Sequence, residues 1–409
     1  MKSAKDTFFG LKKNVFWLGL TSLFTDISSE MIYPLVPIFA TTVLGVSVGF
    51  VGLIEGIAES TASLLKVFSG WLSDKLGRRK PLTVTGYILS AIAKPLLVIA
   101  TAGWHILGIR FLDRTGKGVR TAPRDALIAD SCDPSANNYG RSFGFHRTMD
   151  TIGAMAGPAL AFLLLPFLAT HSNSHGYREL FGLAIIPALV GIVVLAIYVK
   201  EPKRCETAGV SVRLSLKPFD RRFKVFLLVV LVFTLGNSSD AFLILRAKNA
   251  GLAVAMIPLA YLLFNTINAA LAIPAGVISD KLGRRGVMIL GFLNFAAVYL
   301  GFGLANSTLT IWIMFGVYGF YYAFTESIFK AYTADLVAEN QRGMAYGLLN
   351  TAMGIALLPA SLVAGWLWQN VSVRAPFYYG AITAILALLM LVLFVPQGRV
   401  HSGPAAVAK

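Results

Sequence analysis

The 409-residue chain is poor in charge, cysteine and acid. Only 14% of its residues are charged, while 56% are hydrophobic and mean hydropathy is +0.69. A soluble chain of this size carries roughly a quarter charged residues, so this one needs lipid rather than a larger core. There are two cysteines, Cys132 and Cys205. They support neither a disulfide framework nor a CxxC metal site. No HExxH pattern and no His/Cys cluster with ligand spacing occurs, so no metal, cofactor or catalytic residue is expected. Asp and Glu number 20 against 36 Lys and Arg, a net charge of +16. The basic residues fall in short loops between apolar runs, which points to membrane orientation and excludes nucleic acid as the partner. Gly45-Val-Ser-Val-Gly49 fits a hydrolase elbow, but it lies in a loop between apolar runs with no strand before it. Thr115-Gly-Lys-Gly118 lacks the glycine spacing of a phosphate loop.

What the chain has in abundance is apolar segments long enough to span a bilayer, about 20 residues each. Twelve are expected: 14–40, 46–72, 80–101, 103–130, 140–167 and 178–199, then 223–245, 252–276, 286–304, 308–334, 343–368 and 376–396. The basic start of the chain, Met1 to Lys13, leads into the first of these, which reads as a retained helix and not a signal peptide. Between the sixth and seventh lies a polar, basic stretch with Pro202 and Pro218. The expected organisation is a bundle over 1–199, a cytoplasmic linker over 200–222 and a second bundle over 223–409. Lys and Arg concentrate on the linker side, and only Arg178, Arg246, Lys248 and Arg374 fall opposite. Both termini are therefore expected in the cytoplasm, with the chain in the inner (plasma) membrane.

The two halves repeat one another. Gly70-Trp-Leu-Ser-Asp-Lys-Leu-Gly-Arg-Arg79 returns as Gly276-Val-Ile-Ser-Asp-Lys-Leu-Gly-Arg-Arg285. Ser28-Ser29-Glu30 is echoed by Ser238-Ser239-Asp240, and Ala126-Leu-Ile-Ala-Asp130 by Ala331-Tyr-Thr-Ala-Asp335. Parallel six-helix repeats place a pathway at their interface near the midplane.

Charge inside the spans is costly, about 2.5–3.5 kcal/mol per residue at the centre, and marks function or pairing. Arg110, Asp113, Arg114, Lys117, Arg120, Arg124, Asp125 and Asp130 crowd the fourth span. The cations recur at three and four, forming one helical face. Arg110, Arg114, Lys117, Asp113 and Tyr33 are candidates for holding an anionic group; the competing reading is an ion-pair network with Asp113, Glu30 and Asp150. Asp26 and Glu30, one turn apart on the first span, and Asp240 on the seventh are candidate proton-coupling acids. Glu55 and Lys94 form an expected structural pair, and His146, Arg147 and Asp150 could face Arg120 or Arg124.

The repeated loop resembles the signature loop of the major facilitator superfamily. The resemblance implies an all-α polytopic membrane fold of twelve helices in two pseudo-symmetric six-helix bundles, with the first, fourth, seventh and tenth helices lining a central cavity. It implies a gate formed by Gly70, Asp74, Gly77, Arg78 and Asp130, matched by Gly276, Asp280, Gly283, Arg284 and Asp335. Gly153, Gly157 and Pro158 resemble the family's antiporter motif, except that Ala161 and Phe162 replace its last two glycines. Arg110-Phe-Leu-Asp113-Arg114-Thr-Gly116 departs from a companion motif in having Asp and Arg for Gln and Gly, which makes the site more polar. The expected function is secondary transport by a monomer, without enzymatic activity. The solute would be a small, anionic organic molecule, coupled to protons and moved by antiport. A broad-substrate efflux carrier and a non-transporting receptor are the alternatives.

Overall fold

The computed structural model describes residues 7–8, 11–132, 139–168, 173–202, 215–338 and 341–395. Cys205, the greater part of the linker and the tail after Val395 lie outside the described residues, as does the side chain of Asp280.

A two-residue hairpin, β1 (Thr7–Phe8) with β2 (Leu11–Lys12), precedes the helices. The first half then comprises α1 (Lys13–Ile32), α2 (Val36–Thr42), α3 (Val48–Leu76), α4 (Lys80–Leu96), α5 (Gly103–Ser131), α6 (Tyr139–Leu168), α7 (Asn173–Leu183) and α8 (Ile185–Tyr198). The second comprises α9 (Arg221–Gly236), α10 (Ala241–Asn249), α11 (Ile257–Leu282), α12 (Arg284–Leu304), α13 (Thr308–Leu336), α14 (Arg342–Asn370) and α15 (Ala375–Phe394). Three spans are assembled from two helices each: α1–α2, α7–α8 and α9–α10. Pro34 explains the first break, because its ring has no N–H and collides with the carbonyl four residues back. Eight of the spans, counted among the described residues, are long and apolar enough to cross a membrane. The remainder are helical too, and α5 fails the apolar test because of the charges that it carries.

The signature loops close differently in the two halves. Gly77 ends α3 in the left-handed region (φ 64°, ψ 8°), which a glycine adopts at no steric cost, and α4 starts three residues later at Lys80. Gly283 combines φ 83° with ψ 144°, and α12 starts at the very next residue. Pro258 lies in the first turn of α11, where no backbone bond is lost, whereas Pro274 and Pro359 lie inside helices.

Within the first half α1 packs on α6 and α8, and α5 on α3 and α4; within the second, α12 packs on α13 and α15, and α11 on α13. The halves meet through α3 with α14, α6 with α11, and α2 with α10. The α3–α14 seam is close because glycines line it. A Cβ at Gly52 would lie 2.4 Å from the Ser361 carbonyl, and one at Gly56 3.1 Å from that of Leu358. Ser60 donates to the Gly354 carbonyl at 2.6 Å. These contacts run from Gly49 to Leu64 and fall on the side away from the signature loops, called here the far side. Toward the loop side, Phe68 and Asp74 are exposed and Gly70 meets only Ala122 of its own half.

Candidate functional site

The charged face of α5 resolves into ranks. Arg110 donates to both oxygens of Glu55, Nε to Oε1 at 3.0 Å and Nη2 to Oε2 at 2.7 Å, a bidentate fork. Arg114 pairs with Glu59 at 2.9 Å. Both guanidiniums lie over the ring of Tyr33, 5.3 and 5.6 Å from its centroid. Arg120 donates to Ser90 Oγ at 2.6 Å and stacks on Tyr87 at 4.5 Å, while Arg124 is held by Asp125 and Ser22. Lys117 is the exception. Its side chain is exposed, and it makes no ion pair among the described residues.

Two sequence expectations change here. Glu55 does not pair with Lys94: Lys94 donates to Ser28 Oγ at 2.7 Å, and that hydroxyl in turn donates a hydrogen bond to the Ala184 carbonyl. The principal partner of Arg110 is Glu55, with Asp113 farther away at 3.7 Å. Glu55 also accepts from Ser239 Oγ at 3.3 Å, so the first half's ion pair is tied to the break between α9 and α10 in the second. His146 pairs with Asp150 at 3.4 Å, on its own helix.

Asp26, Glu30, Tyr33, Lys94, Arg110, Asp113, Arg114, Lys117 and Arg120 line a cavity of about 30 Å³. That admits about two ordered waters and no organic solute. Asp26 and Glu30 are half-buried, and Glu30 Oε2 has no hydrogen-bond partner among the described residues. Glycines of α6 let its backbone close on α1: a Cβ at Gly153 would sit 2.8 Å from that of Asp26, and one at Gly157 2.9 Å from that of Glu30. Gly153, Gly157 and the following Pro158 therefore set where the two acids stand, a close approach of the kind small residues allow between membrane helices.

The second half offers hydroxyls and rings in place of ions. Asp240 accepts from Tyr318 Oη at 2.7 Å, and Asn237 donates to Tyr321 Oη at 2.9 Å. Tyr318, Tyr321, Tyr322, Phe264 and Tyr261 pack ring to ring, and Tyr261 meets Tyr33 of the first half at 5.6 Å between centroids. Sequence reading singled out Asp240 but none of these tyrosines; an i, i+3, i+4 spacing of Tyr318, Tyr321 and Tyr322 was the available signal.

At the signature loop of the first half Arg79, not the expected Arg78, makes the contacts, to Asp130 at 2.5 Å and Asp74 at 3.5 Å; Arg78 is exposed. In the second half Arg284 pairs with Asp335 at 3.2 Å, as expected, and also reaches Ser279. The one-position shift follows from the turns: α12 starts at Arg284 itself, whereas α4 starts two residues later in its own repeat. The carboxylate of Glu201, where the linker begins, accepts from the backbone N–H groups of Arg79 and Lys80 and caps α4. Ser47, the hydroxyl of the elbow-like motif, simply caps α3.

Long apolar helices, a repeated charged loop and an ion-paired polar interior together define a polytopic membrane transport protein. The profile of the Major Facilitator Superfamily matches residues 18–245 and 225–408, and the chain belongs to that family. It is 37% identical over 389 residues to an uncharacterized MFS-type transporter of Methanocaldococcus jannaschii, covering 93% of this chain and 94% of that one. It is 21% identical over 358 residues to the multidrug resistance protein MdtH of Salmonella arizonae, with 87% and 86% covered. The crystal structure of the human organic anion transporter MFSD10 superposes with a TM-score of 0.66 at 17% identity, covering 93% of this chain and 99% of that one. Membership makes the chain a membrane transporter of small molecules and not an enzyme.

Proposed function

We propose that the protein moves a small organic anion by rocking-type alternating access and exchanges it for protons. In this reading two bodies, 1–199 and 223–409, rock about the seam between them as a monomer in the plasma (inner) membrane. The linker 200–222 and both termini face the cytoplasm, and the closed α3–α14 seam lies on the opposite side. The observation that carries the reading is the pairing pattern on α5: Arg110 and Arg114 are engaged by carboxylates, while Lys117 is exposed and, among the described residues, unpaired beside the half-buried Asp26 and Glu30. A cation in that setting suits the carboxylate or phosphate of a solute, and the two acids of α1 that share its cavity suit proton exchange. The likeness to a structure described as an organic anion transporter agrees with this reading.

A second reading, broad-substrate efflux, is favoured by the tyrosine and phenylalanine wall of α11 and α13 and by the multidrug-resistance relative. One experiment separates them. Purified protein in proteoliposomes is given a panel of organic anions and a panel of lipophilic cations, with pH gradients of each sign. The anion reading expects gradient-driven movement of at least one anion and none of the cations. Movement of several unrelated cations, with no anion moved, would replace it with the second reading.

A further inference from the structure

Positive charge is scarce on the far side, yet two of its arginines converge. Arg246 at the end of α10 and Arg374 just before α15 line one cavity of about 600 Å³, together with Asn249, Asn306 and Ser372. Arg246 is buried, 4% exposed, and its first duty is structural. It donates to the Phe302 and Ala305 carbonyls that end α12, at 2.9 and 2.5 Å, and to Asn249 Oδ1 at 2.6 Å. Of a guanidinium's five N–H groups these contacts commit one at each nitrogen, which leaves two. Arg374 is exposed and donates to Asn306 Oδ1 at 2.8 Å. Both asparagine oxygens are therefore occupied by arginines, and their amide NH₂ groups remain as donors. No carboxylate lines the cavity, and neither arginine has an ion pair among the described residues.

The first half supplies a contrast. Arg178 likewise ends a helix, donating to the Val98 and Ala100 carbonyls beyond α4 and lying over Phe39. A single arginine suffices there for the capping task. The doubling in the second half is thus more than the capping task requires. Two like charges in a donor-lined hollow repel one another unless an anion joins them.

We propose that this cavity binds a phosphate group, through Arg374 and the free N–H groups of Arg246, Asn249 and Asn306. It lies where α10, α12 and α14 end and α15 begins, at the far-side ends of spanning helices, so the phosphate belongs either to an anionic phospholipid or to a soluble phosphate. The site is separate from the interior cavity of α5, and it stands or falls independently of the transported solute.

The test uses the full chain in a phosphate-free nonionic detergent, with inorganic phosphate, phosphatidylglycerol or phosphatidylcholine added. Bound lipid is read by native mass spectrometry and affinity by the rise in unfolding temperature. The expected result is saturable binding of phosphatidylglycerol or phosphate, weakened at least about tenfold by Arg374→Gln and partly retained in Arg374→Lys. Asn306→Ala provides a second variant should Arg374→Gln not fold. Binding of phosphatidylglycerol alone identifies a lipid site, and comparable binding of inorganic phosphate a soluble one. Absence of saturable binding of both, equal retention of phosphatidylcholine, or binding unchanged by both variants overturns the proposal.

Discussion

The first half of the molecule keeps its interior polarity in ions, and the second keeps it in hydroxyls. Where the first half has Arg110–Glu55 and Arg114–Glu59 in its interior, the second has Tyr318–Asp240 and Asn237–Tyr321, and an ion pair recurs only at the signature loops, Arg79–Asp130 in one half and Arg284–Asp335 in the other. The difference matters energetically. A buried ion pair gains little over an apolar isostere, but breaking it leaves an uncompensated charge; a tyrosine bond to a carboxylate is a single contact. The ionic half is therefore the rigid one while its pairs hold. Among the described residues Lys117 has no ion pair and Glu30 Oε2 no hydrogen-bond partner, and in the proposed reading these are groups free to take part in binding.

This contrast is best broken at Glu55. Glu55→Gln strips the partner from Arg110, whose side chain is only 7% exposed, and should cost about 3–5 kcal/mol of stability. Thermal unfolding in detergent checks this, and the double change with Arg110→Gln should recover much of the loss. Recovery by Asp113→Ala with Arg110→Ala, and none with the Glu55 pair, would return the main ion pair to Asp113.

The hydroxyl half should yield a smaller effect. Tyr318→Phe removes one charge-assisted donor to Asp240 and should cost about 1.5–3 kcal/mol, read in the same unfolding assay. A loss as large as that of Glu55→Gln would erase the proposed division between the halves.

Smallest of all are the loop-side pairs. Arg79→Gln removes a contact to Asp130 and should cost on the order of 1 kcal/mol, while Arg284→Gln, at the more exposed pair, should cost less than about 0.5 kcal/mol. Arg78→Gln should be nearly silent. An Arg78 variant more damaging than the Arg79 variant would restore the expected assignment of the gate.

Much of this arrangement was legible in the sequence, because length and hydropathy define the spans and the repeated loop relates the halves. The ion pairs were legible in principle. Glu55 and Glu59 stand four apart on α3, Arg110 and Arg114 four apart on α5, and each acid is as far from its helix start as its arginine is. Parallel neighbouring helices bring such residues together, but which helices are neighbours is a tertiary fact, and it decided against the Glu55–Lys94 pair. Arg79 in place of Arg78 depends on the ψ of one glycine in each turn, which identical loop sequences cannot reveal. The tether from Ser239 to Glu55 crosses the two halves, and no local pattern reports it.

In the proposed function Lys117, and not Arg110 or Arg114, is the cation that meets the solute. Lys117→Gln measures it most directly, in proteoliposomes with whichever organic anion the wild-type protein moves. Because Lys117 is exposed and unpaired, the variant should unfold within a few degrees of the wild type, yet its half-saturating solute concentration should rise roughly ten- to a hundredfold, the worth of one lost charge-assisted contact. Transport by Lys117→Gln at wild-type affinity, with the fold intact, would contradict the account.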